Sequence, residues 1–269
     1  MHLRRPAVAL ALGAAVLPAA GCAPAISTQQ EVQLGAQQAN EINRQLPLVS
    51  DRAVVSYIND LGRSIARNAD PRGIQYSFYV VNSNQVNAFA IPGGHVYVNR
   101  GLVERADNVS ELAGVLGHEI AHVVERHGIE QWQRAQNANL GLSLLYGVLL
   151  GRNPGGLEQA GVQLAGGAYF ASYGRGAERE ADMLAIQYTT RTGIHPRGIV
   201  TFFQELLNER KRNPSRVEQW FATHPLTEER IADTSQAITA LNPSPNLAMD
   251  SQAFQQFRAR VRSLPAARQ

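Results

Sequence analysis

Cysteine is almost missing from this chain. Cys22 is the one thiol in 269 residues, so no disulfide framework holds the fold together and a packed core must do so. Long apolar runs are missing too. Ala7–Leu17 and Leu140–Leu150 are each eleven residues long, short of the ~20 that a bilayer-spanning helix needs. Nor is there a block of lysine and arginine of the kind that marks a nucleic-acid surface. Net charge is only +3, and Arg210-Lys211-Arg212 reads as a cluster matched to the negative end of a helix. With 44% hydrophobic residues, the length after residue 21 fits one domain with a real core.

The first 21 residues read as a signal rather than as fold. Arg4 and Arg5 give a positive start, Ala7–Leu17 an apolar middle, and Leu17-Pro-Ala-Ala-Gly-Cys22 small residues directly before the cysteine. This resembles a bacterial lipoprotein signal, with Cys22 lipidated after cleavage. Ala19 stands where that motif prefers leucine. No aspartate follows the cysteine, so the expected place is the periplasmic face of the outer membrane, with soluble periplasmic as the alternative. Residues 22–30 would be a tether.

The chemistry is concentrated in His118-Glu119-Ile120-Ala121-His122. Residues four apart share one helix face, so both imidazoles can reach one metal ion at about 2 Å. Glu119 points aside, where it can act on a metal-bound water as a general base. Leu112, Val115, Leu116, Ile120 and Val123 are spaced for burial, and no proline interrupts them. A solvated face carrying two stacked histidines is the bland alternative. An apolar helix argues against it, because a buried histidine pair needs partners. Ser110 with Glu111 marks the expected helix start. His127 is read as lying on the same helix, half a turn away from the metal face, as a buried or capping histidine. His95, after a glycine turn, is read as structural.

A catalytic zinc uses three protein ligands and an open position. Glu125 and Gly128 stand where a compact three-histidine motif would need glycine and histidine, so the third ligand is distant. Gly176-Ala-Glu-Arg-Glu-Ala-Asp182 offers Glu178, 56 residues beyond His122. Asp182, four further on, can hold the free ring nitrogen of a ligand histidine. Glu180 competes with Glu178, but only one of the two can face the metal. Tyr169 and Tyr173 are candidate donors nearby. His224, expected in a loop, can stabilise an oxyanion, close over the metal, or simply pack.

Around these motifs the pattern predicts helices over 31–43, 53–66, 196–210, 228–241 and 251–264, and short strands over 75–81, 86–91 and 95–98. An edge strand ahead of the metal helix can hold an extended peptide across the site. A glycine-rich helical hairpin over 140–170 is expected as a lid or a membrane contact.

Four ordered stretches carry a resemblance: Asn87-Ala-Phe-Ala-Ile-Pro-Gly-Gly94, His118 to His122, Glu178-Arg-Glu-Ala-Asp182, and Thr223-His224-Pro225 with Arg230. Together they resemble the M48 zinc metallopeptidases, nearest the soluble lipoprotein members without tetratricopeptide repeats. The resemblance implies a gluzincin-like α+β fold, mainly helical, with a small sheet whose edge strand precedes the metal helix. It implies one Zn2+ per chain on His118, His122 and Glu178, with Glu119 as base. Asn87, Ala88, Phe89, Ala90 and Ile91 become the substrate-aligning strand, and His224 a regulatory or transition-state residue. Residues 31–245 would form the peptidase domain and 246–269 a C-terminal helix and tail. The expected function is an endopeptidase acting on unfolded or misassembled envelope proteins. The alternative is an envelope chaperone or assembly factor with a latent, self-inhibited zinc site.

Overall fold

The computed structural model describes residues 26–138 and 172–266. Cys22 and its signal, Tyr169 and the hairpin expected over 140–170 lie outside the described residues.

The first two helices follow their local signals. α1 (Thr28–Gln45) opens with a capping box in which Ser27 and Gln30 satisfy each other's backbone amides, and it closes before Pro47. In α2 (Arg52–Ala69) the Asp51 carboxylate accepts from the Ala53 and Val54 amides. Val54, Ile58 and Ile65 are its buried stripe.

From Ser77 the period becomes two. β1 (Ser77–Val81), β2 (Ala88–Ile91) and β3 (His95–Asn99) form one sheet in the order β1-β3-β2. β3 runs parallel to β1, with Phe78 opposite Val96. It runs antiparallel to β2, with Phe89 opposite Tyr97. Gly93 and Gly94, at φ 80° and 85°, make the turn between β2 and β3, a conformation that side chains resist. β2 is therefore an edge strand beside the metal helix, and alternation splits its side chains. Ala88 and Ala90 join the main core. Phe89 and Ile91 join a second cluster with Ala39 and Ile42 of α1.

α3 (Arg100–Arg105) leads into α4 (Val109–Val124), where every residue from Val109 to Val123 is buried. A helix buried all round belongs at the centre of a domain. Asn108 caps it by accepting from the Glu111 amide at 3.1 Å. The helix thus starts ahead of Ser110, whose hydroxyl donates to Asn108 Oδ1 at 2.6 Å. Around α4 stand α2, β2, α6 (Arg175–Arg191) and α7 (Arg197–Arg212). α5 (His127–Ala138) follows α4 directly. α8 (Pro214–Thr223), α9 (Glu228–Leu241) and α10 (Gln252–Arg262) complete the described order. α10 inserts Phe254, Phe257 and Val261 into the same core, and Phe257 stacks on Tyr57 with ring centroids 4.3 Å apart.

The protein is thus mainly helical with a small mixed sheet beside the helices that carry the metal-binding residues. Beyond shifted element ends, α8 and the end of α4 depart from the sequence reading. α8 was not expected, because its ten residues carry only Val217 and Trp220 as large buried side chains. α4 also does not run on through His127. It ends at Val124, and Arg126 turns left-handed at φ 59°. No helix among the described residues is long and apolar enough to cross a membrane.

α4 and α7 approach each other through glycine. A Cβ on Gly198 would stand 2.1 Å from the Ser110 carbonyl carbon. Alanine normally favours a helix by ~1 kcal/mol over glycine, but here overpacking at about 1–3 kcal/mol outweighs that gain. Gly198→Ala is expected to lower the urea midpoint of unfolding; a raised midpoint would show that the two helices can separate at no cost.

Candidate functional site

The site is assembled on α4, α6 and the end of α8. Ring nitrogens of His118, His122 and His224 and a carboxylate oxygen of Glu178 all lie within 4.8 Å of one another, and all four residues are buried. His118 Nε2 is 3.1 Å from His122 Nε2 and 3.4 Å from His224 Nδ1. Glu178 Oε1 is 3.4 Å from His122 Nε2 and 2.9 Å from His224 Nδ1. Donor atoms about 2.0–2.1 Å from a tetrahedral zinc stand roughly 3.3–3.4 Å from one another; these four spacings lie close to that, while His118 Nε2 to Glu178 Oε2 is wider at 3.8 Å, so the cluster suits a metal ion of this kind. The charges fit as well. Three buried carboxylates, Glu119, Glu178 and Asp182, face one buried guanidinium, Arg230, and a divalent cation closes the balance.

Each ligand-type side chain is held from behind. His118 Nδ1 sits 2.9 Å from Asp182 Oδ1. The contact lies off the axis of the ring N–H, so it is a close electrostatic contact rather than an aligned hydrogen bond. Asp182 in turn accepts from Arg230 Nε and Nη2, both at 2.8 Å. Arg230 Nη1 reaches Glu178 Oε2 and donates to the Pro225 carbonyl at 2.8 Å. One side chain therefore fixes the carboxylate of α6, its neighbour one turn on, and the segment carrying His224. On the face of the His122 ring, Tyr173 stacks at 3.8 Å and 13°. Glu180, the competitor for Glu178, points elsewhere and is about half exposed.

His224 is the C-cap of α8 rather than a member of an open loop. Its amide donates to the Trp220 carbonyl at 2.7 Å, its ring lies 4.8 Å from the Trp220 ring, and it is buried. Its Nδ1 faces the donor cluster, and its Nε2 is 3.5 Å from Glu119 Oε1.

Glu119 is fully buried, and neither carboxylate oxygen has an in-line hydrogen bond. The Ala90 amide of β2 faces it without completing a hydrogen bond to either oxygen. Burial pushes the Glu119 carboxyl above the usual carboxylate range, and His224 and His118 offset part of that. Burial holds the His122 ring well below its ordinary value, which keeps it neutral and able to ligate. For Glu178 burial acts upward, but His224, then His122 and His118, outweigh it and hold the carboxyl well below the usual range. His224 is the reverse case. Burial acts downward, and Glu178 and then Glu119 carry it above the ordinary imidazole value.

The structure brings together His118, Glu119, His122, Glu178, Asp182 and His224. Ala88–Ile91 form the strand next to Glu119, with Asn87 buried just ahead of it. A cleft beside His122 is lined by Ala90, Ile91, Ile129, Tyr173, Glu31 and Arg126. His95 stays away from the site, with Nδ1 3.3 Å from the Tyr79 hydroxyl. Sequence reasoning gave Arg230 no role of its own, although it belongs to the stretch that includes His224-Pro225. Its place in that stretch was the one signal the sequence offered, since its burial shows only in the fold. His127 is buried, as the sequence reading allowed, but the direction that reading gave it is corrected. It turns inward at the start of α5, with Nδ1 2.9 Å from His122 Nδ1.

Comparison with known proteins agrees with this geometry. The profile described as "Peptidase family M48" matches residues 53–238. The chain is 33% identical over 239 residues to the "Beta-barrel assembly-enhancing protease" of Yersinia pestis, covering 87% of this chain and 49% of the relative. It is 30% identical over 282 residues to the protein of that name in Escherichia coli (strain K12), covering 97% of this chain and 54% of the relative. To "Metalloprotease YcaL" of the same strain it is 30% identical over 175 residues, 63% of this chain and 64% of that protein. The chain thus spans about half the length of the assembly-enhancing relatives.

Arg230 carries the charge balance, so its loss leaves two buried carboxylates uncompensated. Arg230→Met is expected to cost about 3–5 kcal/mol in urea unfolding of the protein in chelator. Arg230→Lys should recover only part of this, because an ammonium cannot grip both carboxylates. A cost below about 1 kcal/mol for either variant would remove Arg230 from this role.

Proposed function

The chain belongs to peptidase family M48, and from that premise we propose that it is an envelope assembly factor whose zinc peptidase site is latent at rest. The observation that carries this reading is His224, whose Nδ1 stands among the three other donors. A water needs that fourth position for hydrolysis.

In this reading His118 Nε2, His122 Nε2 and Glu178 hold one Zn2+ per chain. Bound there, zinc would acidify a water and polarise a scissile carbonyl. Glu119 takes the proton from the water and returns it to the leaving amine. Its burial and unpaired oxygens suit that role, since a carboxyl with a raised pKa gives the proton back readily. Asn87 to Ile91 align the substrate backbone along the edge of β2, above the cleft beside His122. Asp182 supports His118, and Arg230 keeps Glu178 and Asp182 in place.

At rest His224 acts twice. Its Nδ1 takes the fourth position, and its Nε2 faces the base at 3.5 Å. Withdrawal of Thr223–Pro225 from the cluster frees both. The assembly-enhancing relatives support β-barrel precursors of the outer membrane, and other unfolded or misassembled envelope polypeptides, as the substrate class. Lipid on Cys22 would tether the protein at the periplasmic face of the outer membrane. The second reading, a constitutive degrading protease, needs His224 out of the cluster.

Casein degradation separates the two. His224→Ala is expected to cleave at least tenfold faster than the parent, with about one zinc per chain retained. Adding Glu119→Gln should cut that rate by at least about 100-fold without loss of zinc. Parent and His224→Ala cleaving equally fast would sink latency, and a slower His224→Ala would assign His224 to the transition state. Zinc content should fall in Glu178→Gln and persist in Glu180→Gln; the opposite result would exchange their roles.

A further inference from the structure

The His118–His122 pair has two back doors, and the proposed mechanism uses only one. His118 Nδ1 meets Asp182. His122 Nδ1 meets another imidazole, His127 Nδ1, at 2.9 Å, with both rings buried. His127 Nε2 continues to Glu180 Oε2 at 3.2 Å, and Glu180 leads out to solvent. Three side chains therefore form one line from the donor cluster to the surface.

This line exists because of the break that the helix pattern hides. A continuous α4 would carry His127 round the helix away from His122. Instead Glu125 ends the helix, and Arg126 adopts φ 59°, a left-handed conformation that a residue with a side chain resists. The surroundings hold it there. Arg126 Nε donates to Glu31 Oε2 at 2.8 Å, and Arg126 Nη2 reaches the Ile26 carbonyl. Arg72 joins Glu31 from the other side and donates to the Val123 carbonyl at 2.9 Å. The chain then starts α5 with His127 directed back under His122.

The proton positions follow from donor and acceptor chemistry. A histidine that ligates through Nε2 carries its hydrogen on Nδ1. Nδ1–H of His122 must therefore donate, and the acceptor facing it is Nδ1 of His127. A His127 that accepts at Nδ1 carries its own hydrogen on Nε2 and donates it to Glu180. Each hydrogen in the line has a single consistent place.

We propose that His127 is a positioning residue. It fixes the tautomer and ring direction of His122, and Glu180 fixes His127 in turn. The role rests on the zinc reading above but goes beyond it, because it assigns the supports of the second histidine and explains why Glu180 stands beside Glu178. Tyr173 holds the His122 ring face, and His127 holds the direction of its nitrogen.

The test uses the full chain and the affinity for zinc, measured by competition with a chromophoric chelator. The cobalt-loaded protein gives a d–d absorption spectrum as a second readout. His127→Ala is expected to weaken zinc by about 10–100-fold and to shift the cobalt bands. His127→Asn offers its Oδ1 near the place of Nδ1, and should restore affinity to within about threefold of the parent, following the acceptor role. Parent-like zinc affinity and cobalt bands in His127→Ala would overturn the proposal. So would an asparagine variant no better than the alanine one while both melt like the parent in chelator. Should His127→Ala fail to fold, His127→Asn against His127→Leu decides, and equal affinities overturn it. A parent protein that takes up no zinc would instead overturn the zinc reading itself.

Discussion

The site depends on placing charge where water cannot reach it. Glu119, Glu178 and Asp182 all stand beside a helix without an exposed face, and a single isolated carboxylate in such a place would neutralise itself rather than stay ionised. Arg230 meets two of the three. Its fork matches their spacing, since two nitrogens grip Asp182, the third reaches Glu178, and no lysine could span both. What Arg230 leaves over is a negative well beside the His118 and His122 imidazoles, which is what a divalent cation requires.

That well must be paid for by the surrounding core. Fully burying one leucine, isoleucine or valine side chain contributes about 1.5–3 kcal/mol. Leu112, Val115, Leu116 and Ile120 on α4 are each completely buried, and together they outweigh the cost of a few imperfectly paired polar atoms. The same apolar packing fixes where the polar atoms point. α7 closes on α4 through Gly198, β2 lies against α4 through Ala88 and Ala90, and α6 lies along α4 with Glu178 and Asp182 turned inward. Small residues at these contacts let the backbones approach, so the donor geometry is set by the framework and not by long side chains.

Much of this was readable from residue spacing. His118, Glu119 and His122 lie within one helical turn, and local periodicity fixes their relation before any tertiary contact forms. The same holds for Glu178 against Asp182. The alternation over 75–81 and the glycine pair at 93–94 announced the sheet and its turn, though β1 and β2 each start two residues later than expected and β3 runs one residue further. The rest was not local. Nothing in residues 115–127 shows that Arg126 turns left-handed, because what holds it there is Glu31, 95 residues away. α8 carries too few apolar positions for a period to show, and its last residues matter only because they deliver His224. Arg230 looks like an ordinary charge in a first helical turn. Only its buried partners, 48 and 52 residues earlier, give it a role. The local chemistry was legible; the supports of that chemistry were tertiary.

Latency in this geometry is a balance of modest terms. In the proposed latent state, withdrawing His224 takes its Nδ1 out of the fourth donor position, which a water can then fill, and separates its ring from Trp220, a contact of about 0.5–1.5 kcal/mol. A gap of about 3 kcal/mol leaves the open form below roughly 1% of molecules. A partner need bind the open form only about a hundredfold more tightly than the closed one to bring the two to parity. Backbone pairing along β2 can supply that difference, since the edge strand and Glu119 meet at Ala90, next to the position His224 vacates. In the proposed cycle the polypeptide that needs cutting is then also the ligand that favours opening, and a free site stays shut in an environment full of folded proteins.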